Sequence, residues 1–145
     1  MTHRPILLVE DNPDDIALTR RAFKQTKIAN ELVVVEDGAE ALEYMFATGS
    51  YAGRDTSMTP AIILLDLNLP KVNGLEVLQH LRADERTRRI PIIILTTSNE
   101  ERDLVESYDL GANSFVRKPV DFQQFTEAVR QLGMYWLVLN EAPPG

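Results

Sequence analysis

Four short apolar runs punctuate the chain: Ile6-Leu7-Leu8-Val9, Leu32-Val33-Val34-Val35, Ala61-Ile62-Ile63-Leu64-Leu65 and Ile92-Ile93-Ile94-Leu95. A fifth and weaker one is Ser114-Phe115-Val116. Continuous β-branched runs of this length predict strands buried on both faces, as in a parallel sheet. Helix signals fill the intervals. Asn12-Pro13 reads as an N-cap followed by proline at the first helical position, opening a helix to about Lys27. Asp37 caps a second, with Ala41, Leu42, Met45 and Phe46 on its apolar side. Leu75, Leu78 and Leu81 mark a third. Ser98-Asn99-Glu100-Glu101 has the form of a capping box, and the helix it opens should stop at Gly111. Asp121 caps a fifth, with Phe122, Phe125, Val129 and Leu132 at helical spacing.

Strand alternating with helix five times predicts an α/β doubly wound fold with helices on both faces of a five-stranded parallel sheet. The one long connection, Gly49 to Thr59, is polar and reads as a surface loop. Residues 1–139 form a single expected domain with an extended C-terminal helix, and residues 140–145 an irregular tail.

Composition narrows the function classes. The chain has 145 residues, 44% hydrophobic and 26% charged, with a net charge of −7 and no cysteine. The acidic balance argues against nucleic-acid binding, which needs a basic footprint. No apolar run approaches the length of a membrane span, and Met1-Thr2-His3-Arg4 lacks a signal-peptide core. The expected location is cytoplasmic. Without cysteine there is neither a disulfide framework nor a thiolate metal site. His3 and His80 read as solvated, without a partner acid at catalytic spacing. Arg86, Arg88 and Arg89 read as solvated charges at a helix end.

In open α/β sheets, ligands bind beyond the carboxyl ends of the strands. After the first run come Glu10 and Asp11, after the third Asp66, after the fourth Thr96 and Thr97, after the fifth Lys118 and Pro119. Any one of these has a plain structural explanation, since an acid there often caps the next helix and a lysine is often solvated. Four strands agreeing points to a site. Three clustered carboxylates need a cation to stay charged together. An oxygen-only ligand set suits Mg²⁺. Lys118 and the Thr96 hydroxyl would meet phosphoryl oxygens, and Asp66 would be the nucleophile that forms an acyl phosphate.

These residues carry a family resemblance. Val9-Glu10-Asp11, Leu65-Asp66-Leu67-Asn68-Leu69-Pro70 with Gly74, Leu95-Thr96-Thr97 and Phe115-Val116-Arg117-Lys118-Pro119 resemble the receiver domain of two-component response regulators, over about residues 5 to 132. The resemblance implies the flavodoxin-like receiver fold with strand order 2-1-3-4-5. It implies that Asp66 accepts a phosphoryl group from the phosphohistidine of a sensor histidine kinase. Asp11, Asp66 and the backbone carbonyl of Asn68 would ligate Mg²⁺ directly, and Glu10 through water. Lys118 would bind the phosphoryl group, with a cis bond to Pro119. Thr96 and Phe115 would act as the switch pair. Phe115 has no hydroxyl, so its rotamers would differ by packing alone, and an ordinary core aromatic is an equal reading. On this view the chain is a phosphoacceptor that performs only its own phosphorylation and dephosphorylation, not a turnover enzyme, and carries no effector domain.

The extended loop before the third strand, Leu67-Asn68-Leu69-Pro70, Leu95-Thr96-Thr97-Ser98, Ser107-Tyr108-Asp109-Leu110 and Trp136-Leu137 are similar to the small regulators that partner phytochrome histidine kinases. Three rivals remain distinguishable. An aspartyl phosphatase of the haloacid-dehalogenase type would need an acid where Asn68 stands. A flavodoxin would place a phosphate-binding loop where Glu10 and Asp11 stand. A pseudo-receiver would bind partners without phosphorylation.

The last helix suggests an assembly. At about 100° per residue, Phe122, Phe125, Val129, Leu132, Trp136 and Leu139 share one stripe. Met134, Leu137 and Val138 fall off it, and an apolar patch of that kind favours a symmetric homodimer. The alternative is that the chain turns after Gly133 and folds this segment over its own core.

Overall fold

The computed structural model describes residues 4–118 and 122–139, the last two by backbone alone. The expected Asp121 cap, the Pro119 peptide bond, His3 and the tail from 140 lie outside the described residues. Strands β1 (Ile6–Val9), β2 (Leu32–Val35), β3 (Ile62–Leu65), β4 (Ile92–Thr96) and β5 (Ser114–Arg117) alternate with helices α1 (Pro13–Gln25), α2 (Gly38–Phe46), α3 (Gly74–Ala83), α4 (Glu101–Asp109) and α5 (Phe122–Leu132). All strand pairs are parallel, in the order β2-β1-β3-β4-β5. The expected doubly wound fold is the observed one.

Alternation along the strands divides the core into two layers. Leu7, Val9, Ile63, Leu65, Ile92 and Ile94 face α2 and α3, where they meet Ala41, Met45, Val77, Leu78 and Leu81. Ile6, Leu8, Ile62, Leu64, Ile93 and Leu95 face α1 and α5, where Ala22, Phe23, Phe125 and Val129 cover them. The central strands β1, β3 and β4 are buried throughout, whereas β2 and β5, at the sheet edges, are mostly half-buried.

The helix starts follow the sequence signals in part. Asn12 accepts from the amides of Asp14 and Asp15, and Asp37 from that of Glu40. Asn73, which the pattern left unmarked, caps α3 through the Glu76 amide. The capping box at α4 does not form. Glu100 occupies the cap position without a side-chain bond, and the Ser98 hydroxyl instead donates to Asp103 at 2.6 Å. Gly111, with φ of +102°, follows the end of α4 as expected. The Gly49–Thr59 loop is more ordered than its polarity suggested. It begins with a 3₁₀ turn at Gly49–Tyr51, and the Arg54 guanidinium binds the carbonyls of Tyr44 and Met45 at the end of α2 while lying 4.3 Å above the Tyr44 ring.

The C-terminal stripe needs correction. Beyond Leu132 the α-helix gives way to a π-helical stretch, Gly133–Leu139. Gly133 sits against Ile28, whose Cδ1 lies 2.9 Å from where a Cβ would be. The wider i→i+5 winding turns less per residue, so Leu137 joins Trp136 against the α1/α5 layer. Met134 and Tyr135 face outward, each 50% exposed. The side chain of Val138 lies outside the described residues.

Candidate functional site

Strand register assembles the site. Val9 pairs with Leu65 across β1 and β3, so the next residue on each strand, Glu10 and Asp66, emerges side by side. The Asp66 amide donates to the Val9 carbonyl at 3.1 Å, and the Glu10 amide to Val35 at 3.0 Å. On the other side of β3, the Lys118 amide donates to the Thr96 carbonyl at 2.8 Å. Glu10, Asp66 and Thr96 are buried, at 2%, 6% and 0% exposure, while Asp11 is exposed.

Lys118 is the hub. Its ammonium donates to Glu10, to Asp15 at 2.9 Å and to Asp66 at 3.3 Å. Burial lowers its pKa, but its hydrogen bonds to Glu10 and Asp15 and the charge of Asp66 outweigh this, and the net direction is upward. Glu10 moves the opposite way for an acid beside a lysine. Burial pushes its pKa up to about 7, aided by Asp66 and only partly opposed by Lys118. Three carboxylates on one ammonium leave this cluster with excess negative charge. The same excess negative charge is what a hard divalent cation neutralises. Ligand oxygens of Glu10, Asp11 and Asp66 lie within 4.8 Å of one another, so the donor set fits Mg²⁺.

The loop carrying Asn68 is clamped by close backbone approach. The Gly74 amide donates to Leu67 at 3.0 Å, and a Cβ on Gly74 would lie 2.2 Å from the Asp66 carbonyl oxygen. Gly38 abuts the same loop, 1.8 Å from the Val72 oxygen by the same measure. Larger residues at either position would push the loop away from the site. The Asn68 amide donates to Asp66 at 3.3 Å.

The two expected switch residues stand where the pattern put them. The Thr96 hydroxyl accepts from the Ser98 amide at 3.2 Å, which ties it to the start of α4 through the Ser98–Asp103 bond. Phe115 is half-buried against the α2/α3 layer. Asp15 is the residue that sequence reasoning missed. Its signal was its place one helical turn beyond Asp11, since side chains in a first turn lean back toward the helix start. His80 is exposed on α3, and Arg86, Arg88 and Arg89 are exposed in the turns between α3 and β4, and none reaches the site. Arg86 pairs with Asp84.

The comparisons agree with this arrangement. Response regulator Rcp1 of Synechocystis sp. is 37% identical over 132 residues, covering 91% of this chain and 88% of Rcp1. The Mn²⁺-bound form of Rcp1 superposes with a TM-score of 0.87 at 35% identity, covering 97% and 99% of the two chains. The phosphorylated cyanobacterial phytochrome response regulator RcpA gives 0.90 at 39% identity, over 99% of this chain and all of RcpA. The bacteriophytochrome response regulator AtBRR is 55% identical, with a TM-score of 0.78 over 97% of this chain and all of AtBRR. The model of the response regulator receiver domain matches residues 6–130, which take in all five strands and every residue of the acid–lysine cluster. The chain belongs to the response regulator receiver family of two-component signalling.

Proposed function

We propose that this receiver takes a phosphoryl group from the phosphohistidine of a sensor histidine kinase onto Asp66. The observation that carries the reading is Asp66 at the end of the central strand, 3.3 Å from the Lys118 ammonium and grouped with Glu10 and Asp11. An Asp66 carboxylate oxygen attacks phosphorus, the bond from phosphorus to the imidazole nitrogen breaks, and the ring leaves with the electron pair. Lys118 moves a hydrogen bond onto a phosphoryl oxygen. Asp11, Asp66 and the Asn68 carbonyl would hold Mg²⁺, with Glu10 beside them. When bound, the ion offsets the charge of the phosphoryl oxygens. Positioning and charge neutralisation are most of what this chemistry requires.

The Thr96 hydroxyl then turns from the Ser98 amide to the phosphoryl group, and Phe115 repacks behind it. The reaction is confined to the chain's own phosphorylation and dephosphorylation, in the cytoplasm. The likeness to regulators named for phytochromes supports a phytochrome-type kinase as donor. The outward Met134 and Tyr135 support a two-fold homodimer. Light scattering at micromolar concentration reads this directly. Met134→Glu with Tyr135→Glu gives a folded monomer, and a monomeric wild type refutes the pairing.

The central test is intact mass after exposure to acetyl phosphate or kinase with Mg²⁺. One phosphoryl adduct is expected, and none in Asp66→Ala. Equal labelling of that variant removes Asp66 as the acceptor.

A further inference from the structure

Lys118 carries three ammonium protons and no more. Three carboxylates take them: Glu10, Asp15 and Asp66. A phosphoryl oxygen arriving at Asp66 therefore finds no free donor on this lysine, and one existing bond must give way. Asp66 is the nucleophile of the proposed reaction, and Glu10 belongs to the group of acids that fits a metal. Asp15 is in neither role, because the ligand-spaced group consists of Glu10, Asp11 and Asp66.

Asp15 is also placed differently from the other two acids. Its side chain is 27% exposed, against 3% for Glu10 and 8% for Asp66. It thus stands at the outer side of the cluster. Its backbone is held from two directions, by the Asn12 side chain accepting from its amide at 3.2 Å and by the Thr19 hydroxyl donating to its carbonyl at 2.7 Å. A rigid first turn of α1 therefore presents a fixed negative charge beside the ammonium.

We propose that Asp15 is a positioning residue that restrains Lys118 and so slows phosphorylation of Asp66 by small anionic phosphodonors. The inference rests on the reading of Asp66 as phosphoacceptor. Two physical effects act in the same direction. Asp15 occupies a donor that the phosphoryl group needs, and its charge repels an anionic donor molecule approaching the cluster. Loss of Lys118 placement would act oppositely, but Glu10 and Asp66 still hold the buried ammonium when Asp15 is neutralised. With acetyl phosphate, the bond between an Asp66 oxygen and phosphorus forms as the bond from phosphorus to the acetate oxygen breaks, and acetate leaves with the electron pair.

The experiment compares wild type, Asp15→Asn, Asp15→Glu and Asp66→Ala with acetyl phosphate at saturating Mg²⁺, following intact mass over time. Asp15→Asn is expected to raise the second-order rate constant by about five- to tenfold, the ratio one charge-assisted hydrogen bond commands. Asp15→Glu, which restores the charge, should return it toward wild type. Added salt should speed the wild type more than Asp15→Asn. A merely structural role cannot make the reaction faster. A second readout needs no metal: the ¹⁵N resonance of the Lys118 ammonium should shift in metal-free Asp15→Asn. A rate equal to or below wild type, with Asp66→Ala unlabelled, overturns the restraint while leaving the acceptor in place. An unchanged Lys118 resonance overturns it as well. Labelling of Asp66→Ala overturns the acceptor reading instead.

Discussion

Lys118 and Arg82 are cations drawn into opposite ends of the same sheet. Lys118, at the carboxyl ends of the strands, is held among the described residues by carboxylates: Glu10, Asp15 and Asp66. Arg82, in the last turn of α3 near the amino ends of β4 and β5, is held by the carbonyls of Arg88, Ile90 and Gly111 and by the Asn113 side-chain oxygen. Burial lowers the Arg82 pKa, whereas the acids around Lys118 raise its own. Carbonyl partners are fixed by the backbone and can neither titrate nor leave. Carboxylate partners in excess can exchange protons, take a metal ion or yield to another anion. Arg82 is a staple between loops, and Lys118 is part of a reactive site.

The difference predicts opposite responses to removal. Arg82→Ala should have the largest effect, lowering stability by about 3 kcal/mol, because four acceptors lose a planar donor together. Arg82→Lys should recover little, since a compact ammonium cannot span acceptors arranged for a guanidinium. Mg²⁺ should not help either. Urea unfolding checks all three, and a mild phenotype for Arg82→Ala means the loops hold without their staple.

Lys118→Ala should cost less, about 2 kcal/mol in metal-free protein, because the stranded acids can protonate or relax toward solvent. Here Mg²⁺ should restore most of the loss by supplying the missing positive charge. The variant should still fail to give a normal conformational response to phosphorylation. If Mg²⁺ rescues Arg82→Ala and Lys118→Ala equally, the contrast between the two ends is lost.

The same contrast governs what the sequence made legible. The strands, their order of succession and the acids after them follow from period and position, because buried strands demand apolar runs and strand ends collect ligands. Thr96 and Lys118 were legible for that reason. Asp15 was overlooked because its one signal, a place one turn beyond Asp11, is shared by any acid in the first turn of a helix. Arg82 was hidden because carbonyl partners leave no trace in side-chain pattern. Ser98 misled through a local motif. Its hydroxyl found Asp103, and the expected reciprocal bond with Glu101 did not form. At Gly133 the reading assumed a constant helical winding, and the change to π geometry moved Leu137 inward.

Thr96→Ala should have a smaller effect than either cation. Labelling of Asp66 should remain largely intact, because Lys118 and the acids do not depend on the hydroxyl. The response at α4 should weaken, because the link from Thr96 through the Ser98 amide to Asp103 is cut at its first bond. Amide chemical shifts of Ser98 and Asp103, before and after phosphorylation, read this, and Thr96→Ser should restore it. A variant that blocks labelling as fully as Asp66→Ala does would place Thr96 in the chemistry itself.

The most gradual effect, spread along the pH axis and produced without any substitution, is the pH dependence that Glu10 imposes. Its pKa is raised by burial to about 7, from 4.5 in an unfolded chain. Between those values the folded state holds a proton that the unfolded state has released. Stability from this group is therefore fully present below about pH 4.5 and is lost as pH rises toward 7. The slope for one proton is at most about 1.4 kcal/mol per pH unit. Acids with lowered pKa, such as Asp55, Asp84 and Glu127, contribute above their unfolded values and lose it only in more acidic solution, so they leave this window nearly flat. Metal-free protein should thus lose stability from pH 5 to 7, and Glu10→Gln should flatten the curve. Saturating Mg²⁺ should reverse the trend, because a cation and a proton compete for the same oxygens. A wild-type curve as flat as that of Glu10→Gln means Lys118 neutralises Glu10 fully, and the cluster has no charge left over for a metal to meet.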